Sequence, residues 1–132
     1  MNSYKAFVIF AFCCVAVQLT WVEAKHFCLK LGLRLLSIET AEENTALLEY
    51  IGENYPNYRF WTSGSNLYHP TGKFYWDSTG EMLGFTNWFI NQPDNQGGSE
   101  YCLEMPSTAN HMWNDIECTF SMDFICEAYA CP

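Results

Sequence analysis

Between Asn91 and Glu100 the chain reads Asn-Gln-Pro-Asp-Asn-Gln-Gly-Gly-Ser-Glu, and Trp113-Asn114-Asp115 follows a short way on. Gln92, Asp94, Glu100, Asn114 and Asp115 together offer three carboxylates and two amide carbonyls. Calcium takes about six to eight hard oxygen ligands in a flexible arrangement. Five such side chains and one backbone carbonyl leave about two positions for water or a ligand. Magnesium demands a tighter octahedron, and zinc prefers nitrogen or sulfur. The chemistry these residues point to is therefore one Ca²⁺ site. Taken singly, each is as well explained as a polar turn residue; the grouping makes the case. Pro93 lies between two of the candidate ligands, and a cis bond there would turn Gln92 and Asp94 to the same side. Gly97 and Gly98 let the loop curl back and bring Glu100 toward the pair.

Such a loop needs a scaffold. Thr20-Trp21-Val22-Glu23 has the form of a capping box, and Trp21, Ala24, Phe27, Cys28 and Leu31 follow at helical spacing until Gly32. Leu33 to Ile38 is short and apolar, a strand or extended link. Thr40-Ala41-Glu42-Glu43 is a second capping box, followed by Asn44, Leu47, Leu48 and Ile51 on one helical face; Asn54, Pro56 and Asn57 end that helix. Beyond it the sequence predicts short strands at Arg59–Thr62, Phe74–Asp77, Tyr101–Met105, Met112–Trp113 and Phe124–Glu127, separated by polar loops. The stretch from Asn87 to Glu100 is nearly devoid of aliphatic residues, and loops this long in a compact domain usually carry function. The expected fold class is α+β: two helices packed on small antiparallel sheets that carry a long calcium-binding loop region.

The 132 residues suffice for one domain. Aromatics make up 17% of them, which suits a loop-rich fold with a core of rings. A formal net charge of −9 argues against nucleic acid and anionic membranes as partners. Lys5 followed by an apolar run from Ala6 to Val17 has the form of a secretory signal, too short for a comfortable membrane span. Cleavage after Ala16 spares the helix start at Thr20; a cut after Ala24 would destroy it. The alternative for this run is a buried apolar strand. Removal of residues 1–16 would take Cys13 and Cys14 with it and leave Cys28, Cys102, Cys118, Cys126 and Cys131. In an exported chain these read as a disulfide framework. Zinc is the weaker alternative, because no C-x-x-C pair exists and the three histidines are scattered. Five is odd, and Cys131, next to the last residue, is the natural one left over.

The ordered set of motifs resembles the C-type lectin-like domain from about Thr20 to Glu127. The matching pieces are Trp21…Ala24…Cys28, Leu35-x-x-Ile38-x-x-x-x-Glu43-Asn44, Phe60-Trp61, Asn87-Trp88 and Gln92-Pro93-Asp94. Glu100-x-Cys102, Trp113-Asn114-Asp115-x-x-Cys118 and Phe124-x-Cys126-Glu127 complete the set. The run Phe60-Trp61-Thr62-Ser63-Gly64 looks like insect members. The resemblance implies a secreted, non-enzymatic domain of about residues 20–132, with disulfides Cys28–Cys126 and Cys102–Cys118. It implies calcium-dependent carbohydrate binding in which Gln92, Asp94, Glu100, Asn114 and Asp115 hold both ion and sugar. The order Gln-Pro-Asp resembles galactose-type members, so glycans with terminal galactose or N-acetylgalactosamine are the expected partners. Such members often carry an aromatic two residues after the tripeptide; here that position is Gln96. Tyr101 and Phe89 are rings that either meet sugar or belong to the core.

The family's auxiliary calcium site wants acids where this chain has Asn66, Thr71 and Asn95, so that site is expected to be empty. Family members also have a strand before the first helix. After cleavage at Ala16 only Val17 to Thr20 would remain there, so the strand is missing or truncated, or the apolar run itself supplies it. Cys131 lies outside the pattern and is a candidate for linkage to another chain or for a free thiol. A calcium-independent protein-binding module of the same fold is the alternative function. An enzyme such as a two-carboxylate glycosidase is disfavoured, since no His/Ser/Cys nucleophile constellation is visible and the carboxylates are better explained as metal ligands.

Overall fold

The computed structural model describes residues 17–129 together with the backbone of 7–9. Residues 1–6 and 10–16, with the proposed cut after Ala16, and Cys131 lie outside the described residues.

Helix α1 spans Trp21–Lys30. Thr20 caps it as the sequence requires: its hydroxyl accepts from the Glu23 N–H, and the Glu23 carboxylate accepts the Thr20 N–H at 3.1 Å. One face buries Trp21, Ala24 and Cys28. Leu31, expected on that face, is the C-cap residue and is half exposed. Gly32 follows with φ +74°, a conformation that lets the chain leave the helix without a Cβ penalty. Strand β2, Arg34–Leu35, leads to helix α2, Ala41–Asn54. Thr40 accepts the Glu43 N–H at 3.1 Å, while the Glu43 carboxylate takes the Glu39 N–H at 2.9 Å, one residue further back than a capping box places it. Asn44, Leu47 and Ile51 form the buried face of α2.

The strands after α2 are β3 Phe60–Ser65, β4 Tyr75–Trp76, β5 Cys102–Met105, β6 Asn114–Ile116 and β7 Asp123–Glu127. Strand β1, Phe7–Ile9, pairs antiparallel with β7 in the register Phe7 to Glu127 and Ile9 to Ile125. In this structure the apolar run therefore supplies the strand that the sequence left in question. The order is β1-β7-β3-β5-β6, with β2 also on β7 and β4 on β3. The β3–β7 pair is parallel, so the sheet is mixed rather than antiparallel throughout. The strand expected at Met112–Trp113 starts instead at Asn114; Trp113 makes only an isolated bridge to Trp88.

Two apolar clusters flank the sheet. One joins Ile51 and Leu47 of α2 to Phe60, Trp76, Met105 and Trp113. In it Trp76, Phe85 and Trp88 meet Trp113 edge-on with ring centroids 5.3–5.8 Å apart, a favourable arrangement of ring quadrupoles. The other joins Trp21, Ala24, Leu35, Trp61 and Phe124. Disulfides Cys28–Cys126 and Cys102–Cys118 both border this second cluster, with Cα–Cα distances of 5.6 and 5.2 Å. Indole hydrogen bonds from Trp21 to the Thr62 carbonyl and from Trp61 to the Leu19 carbonyl lock α1 and its leading segment to β3.

Candidate metal and carbohydrate site

The ring cluster around Trp113 fixes the start of β6, and so the position of the residues after it. Asp115 is 1% exposed. Its two carboxylate oxygens accept the backbone N–H groups of Asp94 at 3.1 Å and Asn95 at 2.8 Å. A residue on a rigid strand thus pins the loop across about twenty residues of sequence. The loop holds its own shape as well. Asn95 sits at φ 46° and its amide oxygen accepts the Glu100 N–H at 3.0 Å; Gln96 N–H is shared between Asp94 and Glu100 carboxylates at 3.2 and 3.1 Å. The Gln92–Pro93 bond is cis.

The result is a set of carboxylates drawn together. One oxygen each from Asp94, Glu100 and Asp115 lie within 4.8 Å of one another. Glu100 shows the consequence: burial, then the charges of Asp115 and Asp94, push its carboxyl up to about 7, against the pull of the Gln96 N–H. Gln92 lies alongside, its amide nitrogen 3.5 Å from Asp94. Its Oε1 is buried without a hydrogen-bond partner. An unpaired buried carbonyl beside three crowded carboxylates is a set of hard oxygens of the kind a hard cation prefers.

Asn114 stands next to Asp115, and its amide nitrogen donates one N–H to Glu104 at 2.9 Å, leaving the second N–H and Oδ1 for other partners. Glu104, on β5 and 1% exposed, also accepts from Arg59 Nε at 2.8 Å and from Arg59 Nη2. The sequence reading missed both residues. The signal available was a lone acid inside the apolar strand Cys102-Leu103-Glu104-Met105, since buried acids need a partner. The two rings left open are resolved: Phe89 and Tyr101 are both partly exposed and neither is core. Asn66 and Thr71 lie in a different loop, where Asn66 donates to the Gly72 carbonyl and Thr71 contacts His69.

A family model described as Lectin C-type domain matches residues 17–128. The chain belongs to this family of carbohydrate-binding domains, and it is not an enzyme. Among similar sequences, Lectin subunit alpha of Sarcophaga peregrina is 30% identical over 84% of this chain and 41% of its own length. The chain thus spans less than half of that relative. Salivary C-type lectin 2 of Aedes albopictus is 31% identical, covering 82% of this chain and 76% of its own, and Perlucin of Haliotis laevigata is 32% identical over 88% and 74%. In fold, the chain matches the mouse scavenger receptor C-type lectin carbohydrate-recognition domain with TM-score 0.81 at 22% identity, covering 98% of this chain and 93% of that one. Herring type II antifreeze protein matches with TM-score 0.79 at 26% identity, over 100% and 95%. No helix among the described residues is long and apolar enough to cross a membrane.

Proposed function

We propose that this domain is an exported, calcium-dependent lectin for terminal galactose-type sugars, and that Gln92, Asp94, Glu100, Asn114 and Asp115 hold a single Ca²⁺. The observation that carries the reading is the convergence of three carboxylates within 4.8 Å beside the unpaired Gln92 Oε1. The fold alone would not carry it, since a calcium-independent type II antifreeze protein has a similar structure. When bound, the ion offers coordination positions to two vicinal sugar hydroxyls. The residues do the rest. Each hydroxyl needs one partner that accepts its proton and one that donates to its oxygen. Asp94 and Glu100 accept; the amides of Gln92 and Asn114 donate. Asn114 divides its amide protons between Glu104 and the sugar. Asp115, already holding two loop N–H groups, keeps the ligand set in place. Export is supported by the Lys5-led apolar run and by the salivary lectins among the relatives. The test is retention on galactose resin with calcium and release by chelator. Retention that survives chelation would contradict the metal role, and no retention on galactose with capture on mannose resin would contradict the sugar class.

A further inference from the structure

Asn95 ties three parts of the candidate site together through three different groups. Its N–H donates to Asp115 Oδ2 at 2.8 Å, its side-chain Oδ1 accepts the Glu100 N–H at 3.0 Å, and its carbonyl accepts the Gly98 N–H at 2.9 Å. We infer that Asn95 is a positioning residue: its side-chain oxygen latches Glu100 beside Asp94 and Asp115 ahead of any cation, and so sets how tightly the site takes calcium. This rests on the calcium reading just given and adds to it a residue outside the five proposed ligands.

The cluster opposes its own assembly, because three carboxylates with oxygens within 4.8 Å of one another repel. Asp115 is held by a strand, and Asp94 by the Asp115 bond to its N–H. Glu100 stands further out, five residues past Asn95. Between these two residues the chain reverses through left-handed backbone at Asn95, Gly97 and Gly98, with φ 46°, 77° and 82°. The glycines adopt that conformation freely but do nothing to hold it. Asn is among the few residues with a side chain that tolerate it, and here its side chain also supplies the acceptor that closes the reversal. Gly98 is fixed a second time by Tyr101, whose hydroxyl donates to its carbonyl at 3.0 Å. The Gln96 N–H steadies the Glu100 carboxylate at 3.1 Å, but it takes its place from the same turn. Two of the three Asn95 bonds are made by backbone and survive replacement by glycine. The latch is therefore the part that belongs to the asparagine side chain.

The test compares the whole chain as wild type and as Asn95→Gly, which keeps the left-handed backbone and removes the side-chain oxygen. In metal-free protein, solvent exchange of the Glu100 amide, read by NMR, should be about tenfold faster in the variant, with the amides of β5 unchanged. Calorimetry with calcium alone should give one ion per chain in both, bound about five- to tenfold more weakly by the variant. Asn95→Asp restores an acceptor oxygen and tolerates the same backbone, so it should return the Glu100 exchange rate to within about threefold of wild type. Its calcium affinity is not compared, because a fourth carboxylate would attract the ion by charge alone. A Glu100 amide that exchanges equally fast in wild type and Asn95→Gly, or that stays fast in Asn95→Asp, would overturn the latch. Faster exchange in Asn95→Gly with calcium bound as tightly as by wild type would overturn the positioning role and leave the calcium reading standing. A wild-type chain that binds no calcium would overturn both.

Discussion

Glu100 keeps its proton up to about 7 because burial and the neighbouring Asp115 and Asp94 charges disfavour its ionised form. The ordinary value is 4.5, so the folded, metal-free chain binds this proton more tightly than the unfolded chain does. Its contribution to stability is greatest below pH 4.5 and is lost as pH rises toward about 7. On the proposed reading calcium would work in the opposite direction, by binding the ionised form, and its apparent affinity should fall about tenfold for each pH unit below that value. Thermal midpoints of metal-free protein should therefore decline from pH 5 to 7.5, and Glu100→Gln should flatten this component; a slope unchanged in the variant would remove Glu100 from the account. Asp115→Ala should abolish calcium binding in calorimetry. It also frees the N–H groups of Asp94 and Asn95, each such charge-assisted bond being worth about 1.5–3 kcal/mol. Faster hydrogen exchange at those two amides is the sign to look for, with part of the loss offset by relief of Glu100. Selectivity belongs to the same scale. Exchanging donor for acceptor by Gln92→Glu with Asp94→Asn preserves size and charge, and mismatched buried partners cost about 1–3 kcal/mol each. The pair should weaken galactose and strengthen mannose as competing inhibitors; an unmoved ranking would place selectivity elsewhere in the loop.

Between residue and fold stand the elements, and at Gly64 β3 and β5 approach closely. A Cβ at Gly64 would lie 2.6 Å from Leu103 Cβ, next to the register shift between Trp61 and Ser65. Gly64→Ala should cost about 1–3 kcal/mol by overpacking, read as a lower denaturation midpoint at unchanged slope. The helices were the most legible elements, because Thr20 and Thr40 each accept the N–H three residues on, a short-range arrangement written in adjacent residues. The strands were less so. Two-residue pieces such as Arg34–Leu35 and Tyr75–Trp76 exist only through partners far along the chain, and the register of β6 depends on where Trp113 finds Trp76 and Trp88. The five candidate ligands were legible as oxygen-rich residues, but the order imposed on them was not. Asp115 reaches back to the Asp94 and Asn95 backbone, and Asn114 turns to Glu104; neither choice has a local sequence signal.

At the scale of the molecule, β7 gathers the ends of the domain. It pairs with β1, β2 and β3, and Cys126 within it is bonded to Cys28 of α1. Deleting residues 1–16 would uncover the backbone of Ile125 to Glu127 on the side that β1 occupies. We expect that form to melt lower than one carrying a six-residue strand in its place, and equal midpoints would show the pairing to be dispensable.

The Cys28–Cys126 bond has a mechanical consequence. Tension applied through Thr20 and Tyr129 crosses from one cysteine to the other over a Cα separation of 5.6 Å, and the chain between them, a sequence separation of 98, is bypassed. The carboxylate loops, Asp115 and the Arg59–Glu104 pair all lie inside this shunt, so a lectin pulled by its ends while gripping a glycan would keep its grip undistorted. Stretching single molecules should show almost no gain in contour length while the bond is intact. After reduction the hidden chain should pay out by roughly 300 Å, at about 3.3–3.6 Å per residue, with the shorter Cys102–Cys118 loop setting part of the difference if it remains closed.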